Sequence, residues 1–161
     1  MGDQPEIFNF PIQPNTNPEP LTKVEGVKWF LIQASYEGSR PGWLQFYQGM
    51  EWPSGTGKVT TNRADATPFY WVPGYPDYLC GGNGYLSWND GPEFSPQGGI
   101  AQLRVWASAV RWAFVGEHLV PLGYTNPART LTLYKPSNMV TVRPDHTSLI
   151  VKAEYLEVAV V

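Results

Sequence analysis

A chain of 161 residues fits one domain with its own hydrophobic core, since single domains commonly have about 100–200 residues. The formal net charge of −3 argues against a nucleic-acid-binding protein, and the nearest basic candidates, Arg104 and Arg111, are too sparse to form a basic face. Two histidines and one cysteine do not make the ligand set of a metal centre, and no stretch approaches the ~20 apolar residues of a membrane span. We therefore predict no metal, no cofactor, no nucleic-acid partner and no membrane span.

Aromatic residues and turn formers dominate the composition. The chain holds seven tryptophans, nine tyrosines and seven phenylalanines among 16 prolines and 16 glycines. Aromatic side chains make strong contact surfaces, whereas proline and glycine divide a chain into short segments joined by turns. Charged residues make up only 16%, and a surface with few charges commonly contacts a partner, a glycan or neighbouring subunits. The composition predicts a β-rich domain that binds rather than catalyses.

The first 22 residues form a separate segment by composition. They contain five prolines, each of which fixes φ and removes a hydrogen-bond donor. We predict an extended linker over residues 1–22, with a short strand candidate at residues 6–10. Residues 23–161 are predicted to form one globular β domain.

Short runs of β-branched and aromatic residues recur along this domain, separated by turn signals. The predicted strands cover residues 27–32, 43–48, 67–72, 85–88, 130–134, 139–142 and 149–161. In the last of these the apolar alternation slips by one position, which predicts a β-bulge near residues 155–157. About eight short strands with dense turns favour an antiparallel β-sandwich or barrel with long loops rich in proline and glycine.

Residues 73–99 are a loop-rich middle with rings set among turn signals. Carboxylates beside exposed rings suit a sugar site, because they accept hydrogen bonds from hydroxyls while the rings stack on the apolar sugar face. The same carboxylates also make ordinary Asx turns. The candidate ligand-binding residues are Trp71, Tyr75, Tyr78, Tyr85, Trp88, Asp77 and Asp90.

Residues 100–115 fit two patterns. Apolar side chains at the odd positions from Ala101 to Ala109 alternate with polar ones, as in a strand, but Leu103, Ala107 and Val110 also fit one helix face. A strand is the preferred prediction, because no helix N-cap immediately precedes the segment and the two glycines before it indicate a hairpin turn.

Motifs for catalysis are incomplete. The phosphate-loop pattern at residues 54–58 fails, since Trp52 replaces its first glycine and Val59 its final hydroxyl. The Asp-His-Thr-Ser run at residues 145–148 is too compact for a triad, whose base is usually oriented by a group from elsewhere in the fold. His118 fits a surface or packed histidine, so no catalytic residue is assigned.

Three stretches resemble one family. Residues 6–14 resemble the tail of a last jelly-roll strand in capsid proteins of picorna-like insect viruses, and residues 29–52 resemble the start of the protruding domain that follows this tail in honeybee iflaviruses. Residues 153–160 are similar to the acidic and apolar end of such chains. The resemblance implies a β-rich module on the surface of a non-enveloped virion, tethered by a linker and engaged in host-cell attachment or entry. Its partners would be a host-cell receptor, glycan or protein, and other capsid subunits.

The same family carries an adjacent His-Ser pair with a later aspartate, proposed as a hydrolase-like site. Ser35 matches the serine here, but Ala34 stands in place of the histidine and Glu51 is only an approximate match for the acid. A serine without a base is a weak nucleophile. The enzymatic role is therefore not carried over.

Three functions follow in order of preference. The first is a non-enzymatic recognition module, a capsid protruding domain at the virion surface. The alternative is a cytoplasmic, cytosolic-type lectin whose glycan pocket is lined by Trp71, Tyr75, Tyr78 and Trp88. A serine hydrolase comes last, because neither histidine lies near a convincing serine–acid set in the sequence.

Overall fold

Short runs of β-branched and aromatic residues form strands in nearly every part of the chain described here. The computed structural model describes residues 6–8, 27–46, 56–81, 84–88, 98–124, 129–156 and 158–160. The strands are β1 (Glu6–Phe8), β2 (Phe30–Ser35), β3 (Gly42–Phe46), β4 (Gly57–Thr60), β5 (Phe69–Val72), β6 (Tyr75–Gly81), β7 (Gly84–Trp88), β8 (Gly99–Arg104), β9 (Trp112–Val115), β10 (His118–Pro121), β11 (Thr132–Tyr134), β12 (Met139–Val142), β13 (Thr147–Ser148), β14 (Ile150–Tyr155) and β15 (Val158–Val160). Single 3₁₀ turns lie at Arg63–Asp65, Trp106–Ser108 and Lys135–Ser137. Among the described residues, no helix is long and apolar enough to cross a membrane.

Antiparallel pairing closes the main sheet on itself. Its neighbours run in the order β4-β3-β2-β5-β6-β7-β8, and β12 joins the two ends because it pairs with β4 at Met139 and with β8 at Thr141 and Val142. Strand β14 lies along the other edge of β2, and β11 and β13 continue the sheet beyond β12. The predicted mainly β, antiparallel sandwich or barrel-like single domain is confirmed.

The interior of this closed sheet is filled by one hydrophobic cluster. On β2 every second residue, from Phe30 to Ala34, faces it. On β7 and β8 the facing pairs Leu86 with Leu103 and Trp88 with Ala101 lie in register and are all buried. Fully burying a large apolar side chain contributes about 1.5–3 kcal/mol, so this cluster is the main stabilising element of the fold.

A second cluster lies on the opposite face of β5, β6 and β7. Tyr70, Cys80 and Tyr85 are aligned across these three strands and are buried together with Trp29. The rings of Trp29 and Tyr70 meet edge to face, with centroids 4.7 Å apart. The sheet is thus covered on both faces in this region, which makes it sandwich-like.

Several strand predictions are confirmed with shifted ends. In β3 the predicted alternation holds, because Leu44 and Phe46 are buried whereas Trp43 and Gln45 are only partly so. The predicted strand at residues 139–142 coincides with β12, and those at 67–72 and 85–88 match β5 and β7 closely. Strands β4, β6, β10 and β13 were not predicted, because turn formers or polar residues interrupt their apolar pattern.

Residues 100–115 are neither one strand nor one helix. Strand β8 ends at Arg104, a 3₁₀ turn follows at Trp106–Ser108, and β9 begins at Trp112. The single-strand prediction is therefore wrong after Arg104. The alternation of apolar and polar residues continues through Ala107 and Ala109, so the sequence pattern does not mark the point where the chain turns away from the sheet.

The two ends of the chain pair with each other. The predicted strand at residues 149–161 divides into β14 and β15, and β15 pairs in parallel with β1 while β14 pairs with β2. In place of a bulge within one strand, the chain changes partner after Tyr155. Most of the predicted linker, residues 1–5 and 9–22, lies outside the described residues.

Closure of the sheet depends on a close backbone approach at Gly98. This glycine has φ +91°, and a Cβ added there would lie 1.6 Å from the carbonyl oxygen of Val142. Gly123 has nearly the same φ, +89°, but an added Cβ would meet nothing within 4 Å. Substitutions at these two glycines therefore distinguish the cost of backbone strain at a positive φ from the cost of a steric clash.

We expect Gly123→Ala to lower the free energy of unfolding by about 1–2 kcal/mol, the cost of a positive φ for an L-residue. We expect Gly98→Ala to cost about 1–3 kcal/mol more, because the new methyl group pushes β8 away from β12. Urea or guanidinium denaturation measures both variants. Equal losses in the two variants would show that the strand closure tolerates the added carbon.

Candidate functional site

A tight turn and an irregular strand expose aromatic residues at the end of the β5–β6 hairpin. Pro73 and Gly74 connect the strands, and the φ of +83° at Gly74 fits the second central position of a type II turn. In the ladder, Trp71 faces Leu79, but the next pair joins Val72 to Tyr75. Residues 76–78 therefore have no partner in β5 and form a bulge.

This bulge brings two tyrosines to the same side. Residues three apart in a regular strand point to opposite faces, so a regular β6 would separate Tyr75 from Tyr78. Here their ring centroids are 6.4 Å apart. Bulges commonly re-aim side chains in this way.

Trp106 completes a group of rings that we call the aromatic patch: Tyr75, Tyr78 and Trp106. The 3₁₀ turn after β8 positions the indole, whose centroid lies 5.1 Å from that of Tyr75 and 4.7 Å from that of Tyr78. Beneath it, the buried ring of Tyr85 lies 5.2 Å from the indole. Because Tyr85 belongs to the second cluster, the patch is anchored to the folded core.

An arginine and an aspartate lie beside the patch. Asp77 precedes Tyr78 in the bulge, and its Oδ2 lies 3.9 Å from Nη1 of Arg111. Both side chains are about half exposed, and such surface pairs contribute only about 0–1 kcal/mol to stability. The pair therefore places one donor group and one acceptor group at the surface without being needed for the fold.

The structure brings together three of the predicted ligand-binding residues. Tyr75, whose ring is exposed, lies with Tyr78 and Asp77 at the hairpin end. Trp71 is half-buried on the other sheet face, where its ring contacts Phe30. The predicted Asp90 lies outside the described residues.

The expectation that Tyr85 and Trp88 present their rings to the outside is wrong. Both are buried, because β7 is covered on both faces and each of its five residues is inaccessible. Tyr85 and Trp88 are three residues apart, so they enter opposite clusters. The indole of Trp88 contacts the ring of Trp112, with centroids 6.1 Å apart.

Sequence reasoning missed Trp106 and did not connect Arg111 with the rings. Trp106 belongs to the segment predicted as a continuous strand, and its contact with Tyr75 and Tyr78 arises only because the chain turns after Arg104. Arg111 lies 34 positions from Asp77 along the chain. No local signal indicates either contact.

The two histidines serve as hydrogen-bonding groups within the fold. Nδ1 of His118 donates to the carbonyl oxygen of Leu149 at 3.0 Å. Nδ1 of His146 lies 2.8 Å from the hydroxyl of Thr141, which lies 2.7 Å from that of Thr132. These bonds join neighbouring segments of chain and do not link either histidine to a serine or a carboxylate, as a hydrolase base requires.

The triad-like run at residues 145–148 is a turn followed by a strand. Two hydrogen bonds from the Arg143 guanidinium, of 2.9 and 3.0 Å, lower the pKa of the Asp145 carboxyl. Ser148 belongs to β13, and Ser35 pairs with Ile150 in the ladder between β2 and β14. Within the described ranges, no group of three or more His, Cys, Asp or Glu residues is arranged to hold a metal ion.

Comparisons with known proteins give no relative. No protein-family model matches the chain, and neither a curated protein nor a solved structure matches it.

Burial raises the pKa of the Cys80 thiol to about 12, well above its ordinary value. We therefore expect no reaction of the native protein with Ellman's reagent at pH 8 and one equivalent of reaction in guanidinium, since the thiolate is the nucleophile. Because the folded state holds this proton more tightly, stability should also fall as the pH rises above about 8.5, the ordinary thiol value. Rapid labelling of the native protein would contradict the burial of Cys80.

Replacing Trp88 should test the core and not the surface. We expect Trp88→Ala to lower the free energy of unfolding by about 3–5 kcal/mol, because it leaves a cavity in the main cluster. Tyr75→Ala, at the exposed end of the hairpin, should cost less than about 1 kcal/mol. Denaturation curves of both variants measure the difference, and a mild effect at Trp88 would contradict its burial.

Proposed function

We propose that this chain is a non-enzymatic recognition module, a protruding domain on a viral capsid that takes part in host-cell attachment or entry. The observation that carries the proposal is the aromatic patch, where Tyr75, Tyr78 and Trp106 gather at the end of a hairpin. The module would lie at the virion surface, with other capsid subunits and a host-cell receptor as its partners.

The construction of the patch supports a binding role. Tyrosine and tryptophan are the residues most enriched at binding hot spots, since they present large contact areas with few rotatable bonds. Here the indole of Trp106 packs against both Tyr78 and the buried Tyr85, so little conformational entropy remains to be lost on binding. The bulge at residues 76–78 interrupts the regular pairing of β5 with β6 and allows the rings of Tyr75 and Tyr78 to lie side by side.

The resemblance of residues 6–14, 29–52 and 153–160 to capsid proteins supports the viral setting. The mainly β fold agrees with the module that this resemblance implies. The proposed viral setting thus rests on the sequence resemblance, whereas the proposed binding surface rests on the geometry of the aromatic patch.

A second candidate is a cytosolic-type lectin domain. The pair formed by Asp77 and Arg111 beside the rings favours it, because sugar hydroxyls both donate and accept hydrogen bonds. This candidate uses the same surface but requires no virion.

The proposed function is tested by measuring how strongly the purified domain and its variants bind to cultured insect cells. We expect Tyr75→Ala and Trp106→Ala each to weaken binding at least about tenfold, equivalent to about 1.4 kcal/mol, as for hot-spot residues. Tyr134→Ala is the matched control, since Tyr134 is a similarly exposed tyrosine, at 44%, outside the patch. It should leave binding unchanged.

Circular dichroism and denaturation of each variant separate lost contacts from lost folding. Unchanged binding by a folded Tyr75→Ala variant, or equal loss in Tyr134→Ala, would overturn the assignment of the patch as the receptor surface.

A further inference from the structure

The aromatic patch has the dimensions of a small ligand. Its three ring centroids lie within 6.4 Å of one another. A stable protein–protein interface buries about 800 Å² on each partner, far more than three side chains provide. A ligand that gains its affinity from these rings alone is therefore closer in size to one sugar residue than to a protein surface.

The planes of the three rings are steeply inclined to one another. The angle is 70° between Tyr75 and Tyr78, 73° between Tyr75 and Trp106 and 57° between Tyr78 and Trp106. Such rings form a corner and not a flat wall. A pyranose has one apolar C–H face and a polar rim, so it can stack on one ring while its edge contacts another.

The polar rim of a sugar needs both kinds of hydrogen-bonding group. Arg111 supplies only donors and the Asp77 carboxylate only acceptors. Their separation of 3.9 Å exceeds normal hydrogen-bond length, and both side chains are about half exposed. A ligand hydroxyl pair can therefore engage both groups at little cost to the fold.

The charges of the pair favour a neutral ligand. Asp77 balances Arg111, so an anionic group that approached the guanidinium would also meet a carboxylate. Like charges at such a distance repel, and their juxtaposition is a common means of rejecting wrong partners. Sialylated, sulfated and phosphorylated ligands are disfavoured for this reason.

We infer that the surface formed by Tyr75, Tyr78, Trp106, Asp77 and Arg111 binds a neutral hexose residue of a glycan. The rings contact its apolar face, and the Asp77–Arg111 pair binds its hydroxyls. This inference rests on the proposed recognition role of the aromatic patch and names the chemical class of its ligand.

The test measures binding of the purified domain to immobilised neutral and acidic oligosaccharides, together with inhibition of insect-cell binding by the neutral set. We expect binding to neutral glycans that falls at least tenfold in Tyr75→Ala, in Trp106→Ala and in Asp77→Ala. Asp145→Ala is the matched control, since Asp145 forms an exposed aspartate–arginine pair with Arg143 away from the patch. It should bind as the unmodified domain does.

Two outcomes would overturn the inference: binding confined to acidic glycans, or neutral-glycan binding that a folded Tyr75→Ala variant retains. Because Tyr75 is the exposed member of the patch, this variant keeps the test decisive even if Trp106→Ala does not fold.

The design also separates this inference from the proposed function. If cell binding depends on the patch but no neutral glycan inhibits it, the assignment of a sugar ligand is wrong and the proposed attachment role is retained. If glycan binding depends on the patch but cell binding does not, the proposed attachment role is wrong and the assignment of a sugar ligand is retained.

Discussion

Closure of the antiparallel sheet is the constraint on which the other features of this domain depend. Strand β12 pairs with β4 at one end and with β8 at the other, so the sheet encloses its own interior. An enclosed interior must be filled, and large aromatic and aliphatic side chains fill it. The close approach at Gly98 is needed because β8 and β12 meet where the backbone leaves no room for a side chain.

The same closure divides the aromatic residues between two roles. A strand covered on both faces has no outward position, and for that reason Tyr85 and Trp88 belong to the core. The rings of the aromatic patch lie where the chain leaves regular pairing, at the bulge of β6 and at the 3₁₀ turn after β8. The candidate binding surface thus arises from departures from the ladder, while the regular ladder supports it from beneath through Tyr85.

The candidate binding surface combines rigid rings with a loosely paired aspartate and arginine. Trp106 is held by its neighbours, whereas Asp77 and Arg111 form only a loose, exposed pair. Rigid apolar groups lose little entropy on binding, and loosely paired polar groups are readily redirected to a ligand. This combination links the packing of the domain to its proposed work and to the class of ligand that we infer.

The sequence by itself determined the fold class and the neighbourhood of the candidate site. Period-two alternation and frequent turn formers indicate antiparallel strands, and the local pattern of rings with carboxylates gave seven candidate residues that include Tyr75, Tyr78 and Asp77. Only the tertiary structure decided which rings are exposed and which distant residues join them. Burial of Trp88 depends on strands that cover it from elsewhere in the chain, and the contact of Trp106 depends on a turn that an alternating sequence does not mark. A local sequence pattern indicates on which face of a strand a side chain lies. It does not indicate which residues from other parts of the closed sheet pack against that face.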